Sequence, residues 1–219
     1  MDKKEYTYLD SSNVEHVVSI SKEDFKILQD NFVDMFIHDR KLINDLEEVE
    51  INGCYFKNVD FSNIQVRNCD FIDCIFENCN LIGCDFSNKS IHRVCFRYCN
   101  LGSTDYIMSS VKDVLIDDCK CDYINFSDSK IDTLEIQDSL FREARFINIK
   151  LKNVAFNEVN FHGCEFLNTS LKNVDFSSCD ISNLKVNVND IKGMIVNNHS
   201  FSVKYKINIY NYDFFSLAE

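Results

Sequence analysis

The segment Cys69-Asp70-Phe71-Ile72-Asp73-Cys74-Ile75-Phe76-Glu77-Asn78-Cys79-Asn80-Leu81-Ile82-Gly83-Cys84-Asp85-Phe86 says the same thing four times. A large apolar residue returns every fifth position, and a small one, here Cys, stands two places before it. Counted outward from Phe71, the register runs without a slip from Ile51 to Val196, and its thirty positions are all apolar. It passes through Phe56, Val66, Ile91, Tyr106, Cys121, Phe146, Leu171 and Val186, among others. Thirteen of the nineteen Phe lie on it. The second register carries mostly Cys, Val, Ile, Ser and Thr, with Lys89 and Asn189 breaking the pattern. A period of five matches neither a helix at 3.6 nor a strand at 2. Such a repeat governs the reading of the chain before any local propensity does.

The repeated unit is small/Cys, Asp/Asn, Phe/Leu and two further residues, as in Cys84-Asp85-Phe86, Val174-Asp175-Phe176 and Cys179-Asp180-Ile181. This resembles the pentapeptide-repeat family. The resemblance implies an all-β solenoid, a right-handed quadrilateral parallel β-helix with four pentapeptides per coil. Residues twenty apart are then vertical neighbours, and strands about 4.8 Å apart give a rod of roughly 35 Å. A single coil cannot bury its inward side chains, so stacking must do it. Cys121 is the small member of the central register, an expected soft spot, and a buried Tyr106 needs a partner for its hydroxyl.

The flanks divide the chain into three parts: an extension at 1–50, the repeat at 51–196 and a tail at 197–219. Residues 15–20 suggest a short strand. Ser21-Lys22-Glu23-Asp24 reads as a helix start. Phe25, Leu28, Phe32, Met35 and Phe36 continue at helical spacing, so an amphipathic helix is expected over about 21–37, followed by a short one from Arg40 to Leu46. These elements are expected to cap the solenoid's apolar end. In the tail, Phe201, Val203, Tyr205, Ile207 and Phe214 fit a strand or a helix equally. The resemblance implies a C-terminal capping segment that dimerises the rod tail to tail through these residues.

Composition narrows the function classes. The chain has 219 residues, no Pro and no Trp, and a formal charge of −12. No apolar run approaches the roughly 20 residues of a membrane span. The first residues carry no apolar signal segment, which makes the cytoplasm the expected location. Nine of the eleven Cys occupy the second register, where Cys serves as a small buried filler. Cys74-x4-Cys79-x4-Cys84 is not zinc spacing, so no metal site or cofactor is expected. The chain has no nucleophile elbow, phosphate loop or paired bases, and the five His are scattered, so no catalytic residue and no enzyme is expected.

The repeat also sorts outward residues onto four faces. The face of Phe56 carries Glu77, Asp117, Asp118, Glu135, Asp138, Glu158 and Asp175. It also carries an apolar stripe that includes Tyr55, Ile75, Leu115 and Ile195. The face of Ile51 carries Arg93, Lys112, Lys130, Lys150, Lys152, Lys172 and Lys192. Family members similar to Qnr and MfpA are acidic rods that imitate DNA, bind type II topoisomerases and protect gyrase from quinolones. The resemblance therefore implies gyrase as a partner, with no direct binding of nucleic acid or membrane. A duplex carries one charge per about 1.7 Å, or about twenty over the rod. The repeat holds twenty acids against fifteen bases, and residues 1–50 hold thirteen against six. Uniform imitation of duplex charge therefore fails, whereas imitation by one acidic face, concentrated at 113–143, survives. Many Qnr-like members carry projecting loops, and this repeat has room for none. The alternative is a protein-interaction scaffold that uses the apolar stripe.

Overall fold

The computed structural model describes residues 4–9, 15–20, 32–33, 36–42, 45–49, 51–62, 64–197, 199–200 and 208–209. Two antiparallel strands come first, β1 (Lys4–Leu9) and β2 (Glu15–Ile20). The coils begin with β3 (Phe32–Val33), β4 (Phe36–Lys41) and β5 (Leu46–Glu47). They continue through β6 (Ile51–Asn52), β7 (Tyr55–Asp60), β8 (Val66–Arg67), β9 (Phe71–Ile72) and β10 (Ile75–Glu77). Four eight-residue strands follow, β11 (Ser90–Arg97), β12 (Ser110–Asp117), β13 (Lys130–Gln137) and β14 (Lys150–Asn157). The series closes with β15 (Glu165–Phe166), β16 (Lys185–Asn187), β17 (Ile195–Val196), β18 (His199–Ser200) and β19 (Asn208–Ile209).

Parallel pairing is in steps of twenty, as in Phe56↔Phe76, Phe76↔Phe96, Phe96↔Ile116, Ile116↔Ile136 and Ile136↔Phe156. The architecture is the right-handed quadrilateral β-helix. We number its faces by their central residues. Face I holds Ile51 to Ile191, face II Phe56 to Val196, face III Phe61 to Ile181 and face IV Val66 to Val186. The central side chains stack in columns inside. Phe56, Phe76 and Phe96 lie ring on ring at 4.8 and 4.9 Å, and Phe86, Tyr106, Phe126, Phe146 and Phe166 do so on face IV. Apart from Leu151, every central residue is buried.

The second register does more than fill space. Its thiols and hydroxyls sit within hydrogen-bonding reach of carbonyls of the preceding coil, Cys99 to Phe76 O at 3.4 Å, Ser109 to Phe86 O at 2.7 Å and Thr169 to Phe146 O at 2.7 Å. In return, the amides of Cys79, Cys99 and Cys119 donate to Cys99 Sγ, Cys119 Sγ and Ser139 Oγ one coil on. Backbone groups turned inward thus find partners there. Tyr106 is the exception: among the described residues its buried hydroxyl has no hydrogen-bond partner, and the thiols of Cys121, Cys84, Cys99 and Cys119 lie around it. Cys121 stands where the same column has Leu101 and Phe141, side chains that would contend with the phenol for this space.

The corners are set two residues after each central position. Nearly all take the left-handed conformation, from Asn58 (φ 55°) and Gly83 (φ 70°) to Asn183 (φ 57°). Asn, Asp and Gly tolerate that region best, which accounts for their frequency at these positions. Thr133, β-branched, is held there at φ 62°.

The amphipathic helix expected over about 21–37 is corrected where it can be seen. Phe32–Val33 and Phe36–Lys41 are strands that pair in parallel with β6 and β7. Residues 21–31, where the helix was to begin, lie outside the described residues. The helix expected from Arg40 to Leu46 is replaced likewise by the end of β4 and the start of β5. The reason is an edge: the first coil offers unpaired backbone groups, and a strand satisfies them where a helix cannot. This extra coil is one residue short. Ile37 pairs with Phe56, nineteen on, whereas Leu46 pairs with Val66, twenty on. Counting back in fives from Leu46 would bury Lys41. The dropped residue brings Leu42 and Ile37 inward instead, and both are buried.

At the other end, β18 pairs antiparallel with β17 and β19 with β16. The dimerisation residues expected in the tail, Phe201, Val203, Tyr205, Ile207 and Phe214, lie outside the described residues.

Three outcomes are expected from thermal or urea denaturation. Thr133→Asn should stabilise the rod by about 1 kcal/mol through relief of the left-handed cost. Tyr106→Phe should stabilise it by about 1 kcal/mol, since it removes an unsatisfied buried hydroxyl. Cys121→Leu should cost less when combined with Tyr106→Phe than on its own, a positive coupling in a double-mutant cycle.

Candidate functional site

On each pentapeptide the residues just before and just after the central one point outward from the face, and the next is the corner. Ladder register fixes which of these meet. On face II the position before the centre forms one column, Tyr55–Ile75–Cys95–Leu115–Glu135–Ala155. The structure therefore brings Tyr55, Ile75 and Leu115 together, with Cys95 between the last two. Ile195 stands apart from them beyond Glu135 and Ala155, paired with Asp175 on one side and Ser200 on the other. The stripe also extends to Phe36, which pairs with Tyr55, meets its ring edge-on at 5.0 Å and is 3% exposed.

The seven acids of this surface fall into two groups. Glu77 and Asp117 are neutralised by the preceding coil: Lys57 Nζ lies 2.7 Å from Glu77 and Arg97 Nε 3.4 Å from Asp117. The Tyr55 hydroxyl also donates to Glu77. Burial, reinforced by that carboxylate, pushes the Tyr55 phenol above its ordinary value. Burial alone would raise Glu77 as well, but the hydrogen bonds from Lys57 and Tyr55 outweigh it and leave the carboxyl lowered. The other five, Asp118, Glu135, Asp138, Glu158 and Asp175, are exposed. None joins an ion pair among the described residues. Asp175 Oδ1 accepts from the amide and hydroxyl of Ser177.

Asp118, Asp138 and Glu158 share one corner column, between faces II and III, at successive coils about 4.8 Å apart. The lower part of that column is built differently. Asn58 Nδ2 donates to Asp39 Oδ1 at 2.6 Å, and Asn78 Nδ2 to Asn58 Oδ1 at 2.7 Å. An amide ladder thus runs up the corner to Tyr98 and is replaced there by carboxylates that cannot donate to one another. Asn168 and Asn148 form the same amide contact, at 2.9 Å, on another corner. Left-handed geometry alone would accept Asn at 118, 138 and 158, so the like charges stand at a cost in stability.

Elsewhere on the rod, charges pair one coil apart: Arg93 with Asp73, Arg142 with Asp122, Lys152 with Asp132 and Lys185 with Glu165. Face I holds two of these pairs, Arg93–Asp73 and Lys152–Asp132, but it also sets Lys130 and Lys150 directly opposite each other across the ladder. Among the described residues no group of three His, Cys, Asp or Glu is placed to hold a metal ion.

Residues that sequence reasoning passed over are the bulky corners Tyr98, Met108 and Tyr123, all strongly exposed. Their signal was present: each departs from the Asn, Asp or Gly that a corner favours.

Residues 69–146 match the family model described as a pentapeptide repeat region, and residues 139–183 the model described as pentapeptide repeats (8 copies). Together they span more than half of the chain. No curated protein matches it. Among solved structures, a trypsin-treated variant of QnrB1, a plasmid-mediated fluoroquinolone resistance protein, is similar at 17% identity over 70% of this chain and 80% of that one, with a TM-score of 0.32. Rfr23 from the cyanobacterium Cyanothece 51142 is similar at 9% identity over 67% of this chain and 94% of that one, TM-score 0.40. HetL, involved in heterocyst differentiation regulation in Nostoc sp. strain PCC 7120, is similar at 10% over 84% and 99%, TM-score 0.25.

The triple substitution Asp118→Asn, Asp138→Asn, Glu158→Asn should extend the amide ladder and remove the repulsion. The expected gain is on the order of 0.5 kcal/mol per site at low ionic strength, shrinking as salt screens the carboxylates. Melting temperatures across a salt series check it.

Proposed function

Because the chain belongs to the pentapeptide-repeat family, we propose that it is a non-enzymatic binding rod whose acidic corner engages DNA gyrase or topoisomerase IV in place of DNA and protects them against quinolones. The observation that carries this reading is the column of unpaired carboxylates at Asp118, Asp138 and Glu158, with Glu135 and Asp175 beside it. A regular row of uncompensated negative charge on a rigid edge is what a basic DNA-binding surface would accept in place of a phosphate strand. The target of such a protein lies in the cytoplasm, and dimerisation through 197–219 would present two such edges.

A second reading is favoured by the continuous, half-buried column Tyr55–Ile75–Cys95–Leu115. It makes the rod a scaffold for another protein, held by apolar contact on face II.

A supercoiling assay with and without quinolone tests the first reading. Micromolar protein is expected to inhibit supercoiling or to relieve quinolone inhibition, and the triple Asn variant to lose most of that effect. If neither happens, gyrase is not the target. For the second reading, Leu115→Asp should abolish capture of a protein partner with the fold intact by circular dichroism, and retention of every partner would sink it.

A further inference from the structure

The large apolar side chains that stand exposed among the described residues are Ile82 (45%), Tyr98 (57%), Met108 (62%) and Tyr123 (64%). They are not spread along the rod but fall between positions 82 and 123, about two of its coils. Three of them are corners, at φ 55°, 55° and 63°. One coil is unlike its neighbours throughout: its corners are Arg93, Tyr98, Ser103 and Met108, whereas the coil before has Asp73, Asn78, Gly83 and Asn88. In this coil backbone preference gives way at all four corners, and here and at Tyr123 in the next coil the corners display bulky side chains.

Tyr98 and Tyr123 bound the same face, face III, at its two corners. Between them lie Asn100 and Gly102 in one coil and Lys120 and Asp122 in the next. Gly102 has no side chain, and a Cβ there would lie 3.3 Å from Asn100 Oδ1 and 3.7 Å from Ile82 Cγ1, so these two side chains border the space it leaves. The result is a shallow floor at Gly102 with apolar walls at Ile82, Tyr98 and Tyr123.

The rim is acidic. Asp85 and Asp105 are ladder neighbours beside the Tyr123 corner. Asp118 stands one coil beyond Tyr98. None of these three joins an ion pair among the described residues. The adjacent arginines are engaged, Arg97 by Asp117 and Arg142 by Asp122. That leaves Lys120 as the cation facing a partner.

We propose that this part of face III docks a lysine- or arginine-rich amphipathic segment of another protein. Its apolar side chains would lie between Tyr98 and Tyr123, and its cations would meet Asp85, Asp105 and Asp118. Aromatic anchors inside a polar rim are the arrangement in which a few residues carry most of the binding energy, and a cation beside an exposed tyrosine ring gains further. The surface shares Asp118 with the acidic corner of the gyrase reading, which also rests on Asp138 and Glu158 higher on the rod, and those two lie outside this docking site.

The probe is a fluorescein-labelled amphipathic peptide of Leu and Lys, compared with an all-Lys peptide of equal charge by fluorescence polarisation. The wild type should bind the Leu–Lys peptide more tightly. Tyr98→Asn with Tyr123→Asn should weaken that binding about tenfold or more, although the variant should melt no lower, since Asn suits both corners. Asp138→Asn with Glu158→Asn should leave it nearly unchanged. The proposal is overturned if the Leu–Lys peptide does not bind at about 100 μM, or if the all-Lys peptide binds as well. It also fails if the double Tyr variant keeps its affinity, or if the Asp138 and Glu158 substitutions remove binding as fully.

Discussion

Everything in this rod depends on one backbone constraint: each coil must hydrogen-bond to the next with residues twenty apart in register. The bonds are regular along the rod, as in Phe61 N to Asn80 O at 2.7 Å, Leu81 N to Asn100 O at 2.8 Å, Leu101 N to Lys120 O at 2.7 Å and Cys121 N to Leu140 O at 2.6 Å. To keep that register the chain must turn a corner every five residues, and at nearly every corner it does so in the left-handed conformation. The corner then decides which residues face inward. The columns of Phe and the columns of small hydrogen-bonding residues follow from the backbone, and the apolar core follows from the columns.

This order of dependence explains what was legible beforehand. The inward register could be read with the eye because burial repeats with the coil, and the face assignments came with it. The first coil could not be read. Phe25, Leu28, Phe32, Met35 and Phe36 fit a helical stripe, and the residue dropped between Lys41 and Leu46 hides the coil from any count in fives. What places Phe32–Val33 and Phe36–Lys41 in strands is the open edge of the coil above them, a tertiary demand with no local signature.

The surface was legible only in part, for a different reason. Asp118 and Asp138 look like charge in the sequence, yet their positions are ones where Asp and Asn serve the backbone equally well. Only the structure separates acids that are paired, such as Glu77 and Asp117, from those that stand alone. It also places Tyr98 and Tyr123 at exposed left-handed corners, where each departs from the Asn, Asp or Gly that the backbone favours. In a solenoid the corner is the most permissive place to vary and the most informative place to look for variation.

A parallel stack has no natural end. The last coil presents the same row of donors and acceptors as every coil before it, and an identical edge on another molecule could continue the ladder without limit. The strands β18 and β19 lie antiparallel on that edge. Along β16 and β17 the edge is therefore met by a strand of reversed direction, where a further coil would have run parallel. On those two faces the rod is closed by its own chain and is no longer an open template for a second copy.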